Sequence, residues 1–179
     1  MNVKKALLIF LALLCVFTLT ACDPAEQPQE GAGATVQKPE GSAPDFMVLD
    51  YDSKLVYLSD FYGKPIVVNF WATWCGYCKV EMPDFNKAYL EYPDVVFMMI
   101  DATDGAHETK QMADAYVQSQ GFSFDVYYDV TGAARNAYHV SSYPTTVFID
   151  TNGDVVHVKS GMMNYETLVQ GIEMITENE

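Results

Sequence analysis

A chain of 179 residues and 20.0 kDa has room for one ordinary globular domain, because separate cores become the rule only beyond about 250 residues. Half of its residues are hydrophobic, which is enough for a packed core and excludes a disordered chain. The formal net charge is −14, and so acidic a chain repels phosphate backbones, which excludes nucleic-acid binding and disfavours a strongly anionic substrate.

The first 21 residues have the pattern of a secretory signal. Lys4 and Lys5 precede an apolar run over residues 6–19, which would span only about 21 Å as a helix, short of the roughly 30 Å hydrocarbon core. The sequence Leu-Thr-Ala-Cys at 19–22 is similar to the lipobox of bacterial lipoproteins. This resemblance implies a lipid on Cys22 and a protein held at the extracytoplasmic face of the bacterial cytoplasmic membrane. An ordinary signal with a chance cysteine is the alternative.

A polar segment follows the signal. Residues 23–42 contain three prolines, three glycines, no aromatic residue and no apolar period, so they bury too little surface to offset the entropy of ordering them. We therefore predict a lipoprotein signal peptide over 1–21, a lipidated cysteine and flexible tether over 22–42, and one folded domain over 43–179.

Hydrophobic patterning within the domain predicts alternating strands and helices. In chain order they are a hairpin of 46–50 and 55–58, a strand 66–71, a helix containing Phe85, a strand 95–100, a helix 108–120, a strand 124–128, a short helix 132–138, a hairpin of 145–149 and 155–159, and a last helix capped by Asn164. On helix 108–120, one face carries Met112, Ala115, Tyr116 and Ser119. The order predicts an α/β fold of three layers with a mixed central sheet, an N-terminal β-hairpin and a central αβ insertion.

Two of the four cysteines, Cys75 and Cys78, fall within the domain. They come just after a strand that the pattern predicts to be buried, at the start of a helix. The unpaired amides of the first helical turn should favour the thiolate of Cys75, which is the form that attacks a disulfide. Cys78 lies one turn later, where it should be more buried and can attack the resulting mixed disulfide.

Two other interpretations of this cysteine pair stay open. A purely structural disulfide would close so small a ring that it would constrain the unfolded chain only weakly. A zinc site would need two further ligands, and the three histidines, at positions 107, 139 and 157, form no recognisable ligand pair. The spacing and placement of the cysteines favour redox chemistry over both.

Two segments carry a resemblance to thioredoxin-like proteins. They are residues 67–78 (VVNFWATWCGYC) and residues 142–150 (SYPTTVFID). The start of the domain, APDF at 43–46 with LSDFYGK at 58–64, is similar to the membrane-tethered ResA/TlpA branch. The resemblance spans nearly all of the domain and implies a thioredoxin-like three-layer fold.

The resemblance also implies roles for individual residues. Cys75 is expected to be the nucleophile, Cys78 the resolving cysteine, and Pro144 a cis-proline packed beside them; a trans-proline that merely opens a strand is the alternative. The residues expected to contact the substrate are Trp74, Gly76, Tyr77, Tyr143 and Pro144. The backbone of Tyr143 would pair with an extended client segment, whereas Trp71 is expected in the core.

Glu81 is the candidate for proton transfer. It follows Cys78 by three residues and so shares its helix face. In the ResA-type branch an acid at this position is implicated in proton handling; a solvated surface glutamate is the alternative. Cytoplasmic thioredoxins keep a buried aspartate where this chain has Asn69, which cannot exchange a proton. Tyr77 replaces the proline common in reducing thioredoxins, and Pro83 is expected to kink the helix.

These residues predict a thiol-disulfide oxidoreductase, working outside the cytoplasm as a reductase. A reductase there needs electrons fed across the membrane, and the resemblance implies a CcdA/DsbD-like membrane protein as their donor. It also implies clients such as apocytochrome c, and hence cytochrome c maturation, or methionine sulfoxide reductase. We expect a monomer that needs neither cofactor nor metal.

Two alternatives belong to other functional classes. A peroxiredoxin-like peroxidase would need a threonine three residues before its reactive cysteine, where this chain has Ala72, and an arginine nearby, whereas the only arginine, Arg135, is distant in sequence. A Sco-like copper-delivery module has three residues between its cysteines and uses a histidine; this chain has two residues there, and His139 and His157 are the candidate histidines.

Overall fold

The computed structural model of the chain describes residues 42–176, so the predicted signal, almost all of the tether and Cys22 lie outside the described residues. The strands are β1 (Met47–Leu49), β2 (Leu55–Tyr57), β3 (Ile66–Trp71), β4 (Val96–Asp101), β5 (Val126–Tyr128), β6 (Thr145–Ile149) and β7 (Val155–Ser160). The helices are α1 (Gly76–Glu91), α2 (Lys110–Gln120), α3 (Ala133–Ala137) and α4 (Tyr165–Thr176), with a 3₁₀ turn at Leu58–Phe61.

The strands form one mixed sheet in the order β2-β1-β5-β4-β3-β6-β7. Its centre, β3, pairs in parallel with β4 and antiparallel with β6. Every residue of β3 is buried, since apolar layers cover both faces of the sheet. Helices α1, α2 and α4 contribute to the layer on one face, and α3 and the 3₁₀ turn contribute to the other. The predicted α/β fold of three layers is confirmed.

The cysteine pair lies at the end of the sheet where β3 terminates. The chain leaves β3 at Trp71, and α1 begins five residues later at Gly76. Because β6 runs antiparallel to β3, its first residues, which follow Pro144, lie at this same end. The N–H of Gly161, just after β7, donates to the carbonyl of Pro144 at 2.8 Å and brings a third segment there.

Helix α2 differs from the prediction in its start. It begins at Lys110 rather than at 108, because the hydroxyl of Thr109 accepts a hydrogen bond from the N–H of Met112 and caps the helix. Of its residues, Ala113 is fully buried, whereas Met112 is 45% exposed. Tyr116 of the predicted face packs against Trp71, and Asp114 accepts a hydrogen bond from the hydroxyl of Tyr128 on β5.

Helix α1 continues through Pro83 to Glu91, so the proline does not end it. No helix between residues 42 and 176 has the length and hydropathy needed to cross a membrane.

Gly171 lies where α4 packs against β6. A Cβ atom on Gly171 would come within 2.3 Å of the ring of Phe148, which is 1% exposed. We expect Gly171→Ala to lower the free energy of unfolding by about 1–2 kcal/mol, because overpacking outweighs the better helix propensity of alanine. Urea unfolding of the oxidised protein measures this, with the exposed neighbour Gln170→Ala as control. A Gly171→Ala variant at least as stable as the parent would contradict this packing.

Candidate active site

Cys75 and Cys78 are joined in a disulfide at the start of α1, with their Cα atoms 5.3 Å apart. Cys75 is the N-cap residue of the helix, and the N–H of Cys78 donates to its Sγ at 3.1 Å. A negative charge formed on this sulfur after reduction would meet the free amides and positive end of the helix dipole. Cys75 is 6% exposed and Cys78 is fully buried, so Cys75 is the sulfur that a client can reach.

Exposed aromatic side chains flank the disulfide. Trp74 is 60% exposed and Tyr77 is 69% exposed, whereas Trp71 is buried as expected. The ring of Trp74 packs edge-on against that of Tyr143, with centroids 5.7 Å apart. The Tyr143–Pro144 peptide bond is cis, as the resemblance implied. That these residues contact a client stays a prediction.

Glu81 is buried in the protein, at 1% exposure, and is therefore not a solvated surface residue. Its Oε1 accepts a hydrogen bond from Nδ2 of Asn69 at 2.9 Å, and its Oε2 accepts one from the N–H of Met163 at 3.0 Å. The same Nδ2 also donates to the hydroxyl of Thr146 at 3.0 Å. Strands β3 and β6 and the segment after β7 thus hold the carboxylate on the inner face of α1.

Burial raises the pKa of Glu81 from an ordinary carboxyl value to about 7. The hydrogen bonds from Met163 and Asn69 favour the ionised form and oppose this rise, and the nearby charge of Asp84 adds to it. A carboxyl group with a pKa near 7 can accept and return a proton at neutral pH. Its place one turn from Cys78 puts this capacity beside the buried thiol.

Arg135 lies closer to the site than its sequence position indicated. It belongs to α3, and its guanidinium opposes the rise that burial causes in the pKa of Tyr143, the residue before the cis-proline. Its backbone N–H donates to the carboxylate of Asp129 at 2.9 Å. Sequence separation gave no signal of this contact. The position that a peroxidase would fill with threonine is nevertheless Ala72, which is fully buried.

Two buried carboxyl groups also escaped the sequence analysis. Asp101 ends β4, and Glu108 accepts hydrogen bonds from Thr73, two residues before Cys75. The one sequence feature that could have indicated them is Asp101, an acidic residue at the end of an otherwise apolar strand.

The AhpC/TSA family model matches residues 39–158. The thiol-disulfide oxidoreductase ResA of Geobacillus kaustophilus is 31% identical to this chain over 172 residues, which cover 96% of this chain and 94% of that protein.

Two solved structures share the fold. The exposed lipoprotein thioredoxin Etrx1 of Streptococcus pneumoniae matches with a TM-score of 0.62 and 28% identity, over 72% of this chain and 98% of that one. A thiol:disulfide interchange protein of the thioredoxin family from Chlorobium tepidum matches with a TM-score of 0.66 and 25% identity, over 75% of this chain and 94% of that one.

Proposed function

Since the chain belongs to the AhpC/TSA family and is a thiol-disulfide oxidoreductase of the ResA type, we propose that it acts as a reductase of disulfides in client proteins. The observation that carries this proposal is the placement of the cysteines: the reachable sulfur of Cys75 caps α1, and the buried Cys78 lies one helical turn before the buried Glu81. The pair can therefore attack, resolve and release a client disulfide.

The exchange proceeds in two displacements. The thiolate of reduced Cys75 attacks one sulfur of the client disulfide, a mixed disulfide forms, and the other client sulfur leaves as a thiolate. The thiol of Cys78 then gives its proton to the carboxylate of Glu81 and attacks Sγ of Cys75. The second client sulfur leaves as a thiolate, so two electrons have passed to the client and Cys75 and Cys78 are joined.

The surface around Cys75 is suited to an extended client segment. Trp74, Gly76 and Tyr77 supply one side of it, and the cis-proline segment at Tyr143 and Pro144 supplies the other. Main-chain pairing with Tyr143 would hold the client independently of its side chains, while the exposed aromatic rings cover apolar parts of the segment.

We place the protein at the extracytoplasmic face of the cytoplasmic membrane, anchored by a lipid on Cys22. One similar protein is named an exposed lipoprotein thioredoxin, which supports this placement. Thiols outside the cytoplasm tend to be oxidised, so a reductase there depends on a membrane protein, of the CcdA/DsbD type, for its electrons. Apocytochrome c and methionine sulfoxide reductase are the candidate clients.

The direction of electron flow is tested by the reduction potential of the Cys75–Cys78 pair. We expect a potential more negative than about −260 mV, below the glutathione couple, as a reductase requires. Equilibration in dithiothreitol redox buffers, followed by alkylation and counting of free thiols, measures it. A potential near about −120 mV, the range of strong disulfide donors, would reverse the assignment to an oxidase.

A further inference from the structure

A pair of buried carboxyl groups lies behind the segment that leads into Cys75. Asp101 at the end of β4 and Glu108 just before α2 are both fully buried. The exchange described above uses neither of them. A buried carboxyl group is costly unless hydrogen bonds satisfy it, so the partners of these two indicate what they do.

Glu108 holds Thr73 by both its main chain and its side chain. Oε1 of Glu108 accepts a hydrogen bond from the N–H of Thr73 at 3.0 Å, and Oε2 accepts one from the Thr73 hydroxyl at 2.8 Å. Thr73 lies two residues before Cys75, whose own N–H donates to the carbonyl of Ala72 at 3.1 Å. The turn that carries Cys75 from β3 to α1 is thus fixed from one side by Glu108.

Asp101 lies near this contact. One oxygen of Asp101, Oδ1, accepts a hydrogen bond from the hydroxyl of Thr103. The other, Oδ2, is buried and receives no hydrogen bond from residues 42–176. Burial is the main cause that raises the pKa of Asp101, to about 8, and the nearby Glu108 and Asp114 add to the rise.

The charged groups around the pair leave Glu108 dependent on its hydrogen bonds from Thr73. On α2, Lys110 pairs with Asp114 at 2.7 Å, and Asp114 also accepts a hydrogen bond from the hydroxyl of Tyr128 on β5. None of the ion pairs among the described residues includes Glu108. The Glu108 carboxylate is held by the N–H and the hydroxyl of Thr73.

We propose that Glu108 is a positioning residue for the Cys75 thiolate: its two hydrogen bonds fix Thr73, so that the sulfur stays at the first amides of α1. The inference rests on the proposed function only in taking Cys75 as the attacking sulfur, and it holds for either direction of electron flow. It adds one carboxyl group, from outside the cysteine helix, to the residues that support exchange.

The test is the pKa of the Cys75 thiol in the full chain, measured from the rate of iodoacetamide alkylation against pH with Cys78 replaced by alanine throughout. Thr73→Val removes one bond to Glu108 without changing shape or charge. We expect it to raise this pKa by about half a unit or more, which is about a threefold loss of thiolate at neutral pH. Thr73→Ser keeps both donors and should restore the original value.

A matched control separates positioning from a loss of stability. Thr176→Val also removes a threonine hydroxyl, which donates to the carbonyl of Ile172 at the end of α4. We expect it to lower the free energy of unfolding and to leave the Cys75 pKa unchanged. If Thr73→Val is destabilised but its Cys75 pKa equals that of the parent, Glu108 only stabilises the fold and the proposal is wrong.

Glu108→Gln gives a second test, because the loss of positioning and the loss of charge change the pKa of the Cys75 thiol in opposite directions. Removing a negative charge near Cys75 would by itself lower the pKa of the thiol, whereas releasing Thr73 raises it. A rise in the Cys75 pKa supports the proposal and a fall overturns it. If the Glu108→Gln variant does not fold, the Thr73 variants test the proposal. Failure of Cys75 as the attacking sulfur gives a different result, since Cys75 of the parent would then react no faster than free cysteine.

Discussion

Replacing Cys75 by serine is expected to lower the rate of insulin disulfide reduction by about a thousandfold or more, to that of the uncatalysed exchange. A hydroxyl does not attack a disulfide, and the buried Cys78 cannot reach the client in its place. Cys78→Ser keeps the attacking sulfur, so it should still form the mixed disulfide but fail to release the client. Turbidity of reduced insulin and thiol-sensitive electrophoresis measure the two effects.

The two variants should differ in this way because the client can reach Cys75 but not the buried Cys78. Cys22→Ser, which leaves the domain's cysteine pair intact, serves as the control and should reduce insulin at the parental rate. If the mixed disulfide accumulated with Cys75→Ser instead of Cys78→Ser, the roles of the two sulfurs would be reversed.

Replacing Glu81 by glutamine is expected to slow resolution of the mixed disulfide by about tenfold to a hundredfold at pH 7, since a positioned base contributes about that much or more. Burial raises the pKa of Glu81 to about 7, so below that pH the group is mostly protonated and cannot take the proton of Cys78. In the parent, resolution should therefore accelerate as the pH rises through about 7. In the Glu81→Gln variant this inflection should be absent.

Glu173→Gln is the matched control, because it removes an exposed carboxyl from α4 with the same chemical change. Stopped-flow measurement of release from a preformed mixed disulfide, between pH 5 and 9, isolates the step. An unchanged profile in the Glu81→Gln variant would limit Glu81 to a structural role.

The central strands followed from the sequence because their constraints are local. Strand β3 occupies the predicted residues 66–71, since an uninterrupted apolar run fits a strand that is covered on both faces. The loop at Asn152 and Gly153 joins β6 to β7 as its turn signal indicated. The start of α2 differs from the prediction, because Thr109 caps the helix and hydrophobic spacing does not indicate a cap.

The site could be predicted only where its residues are close in sequence. The two cysteines and the start of α1 form one motif, and helical spacing placed Glu81 on the same face. Helical spacing does not indicate how deeply a side chain is buried. The burial of Glu81 depends on Asn69 in β3 and on Met163, 82 residues further along the chain. The contacts of Glu108 with Thr73 span 35 residues and depend on the conformation of the loop after β4, which no periodicity reports.

The most direct measurement is covalent capture of a client by the full-length Cys78→Ser protein in the cells that make it. Thiol-blocked membranes should yield a complex held by Cys75 through a disulfide, which separates on reduction and is missing from the Cys75→Ser, Cys78→Ser double variant. A Cys78→Ser protein that reacts with iodoacetamide but captures nothing would contradict exchange with client disulfides.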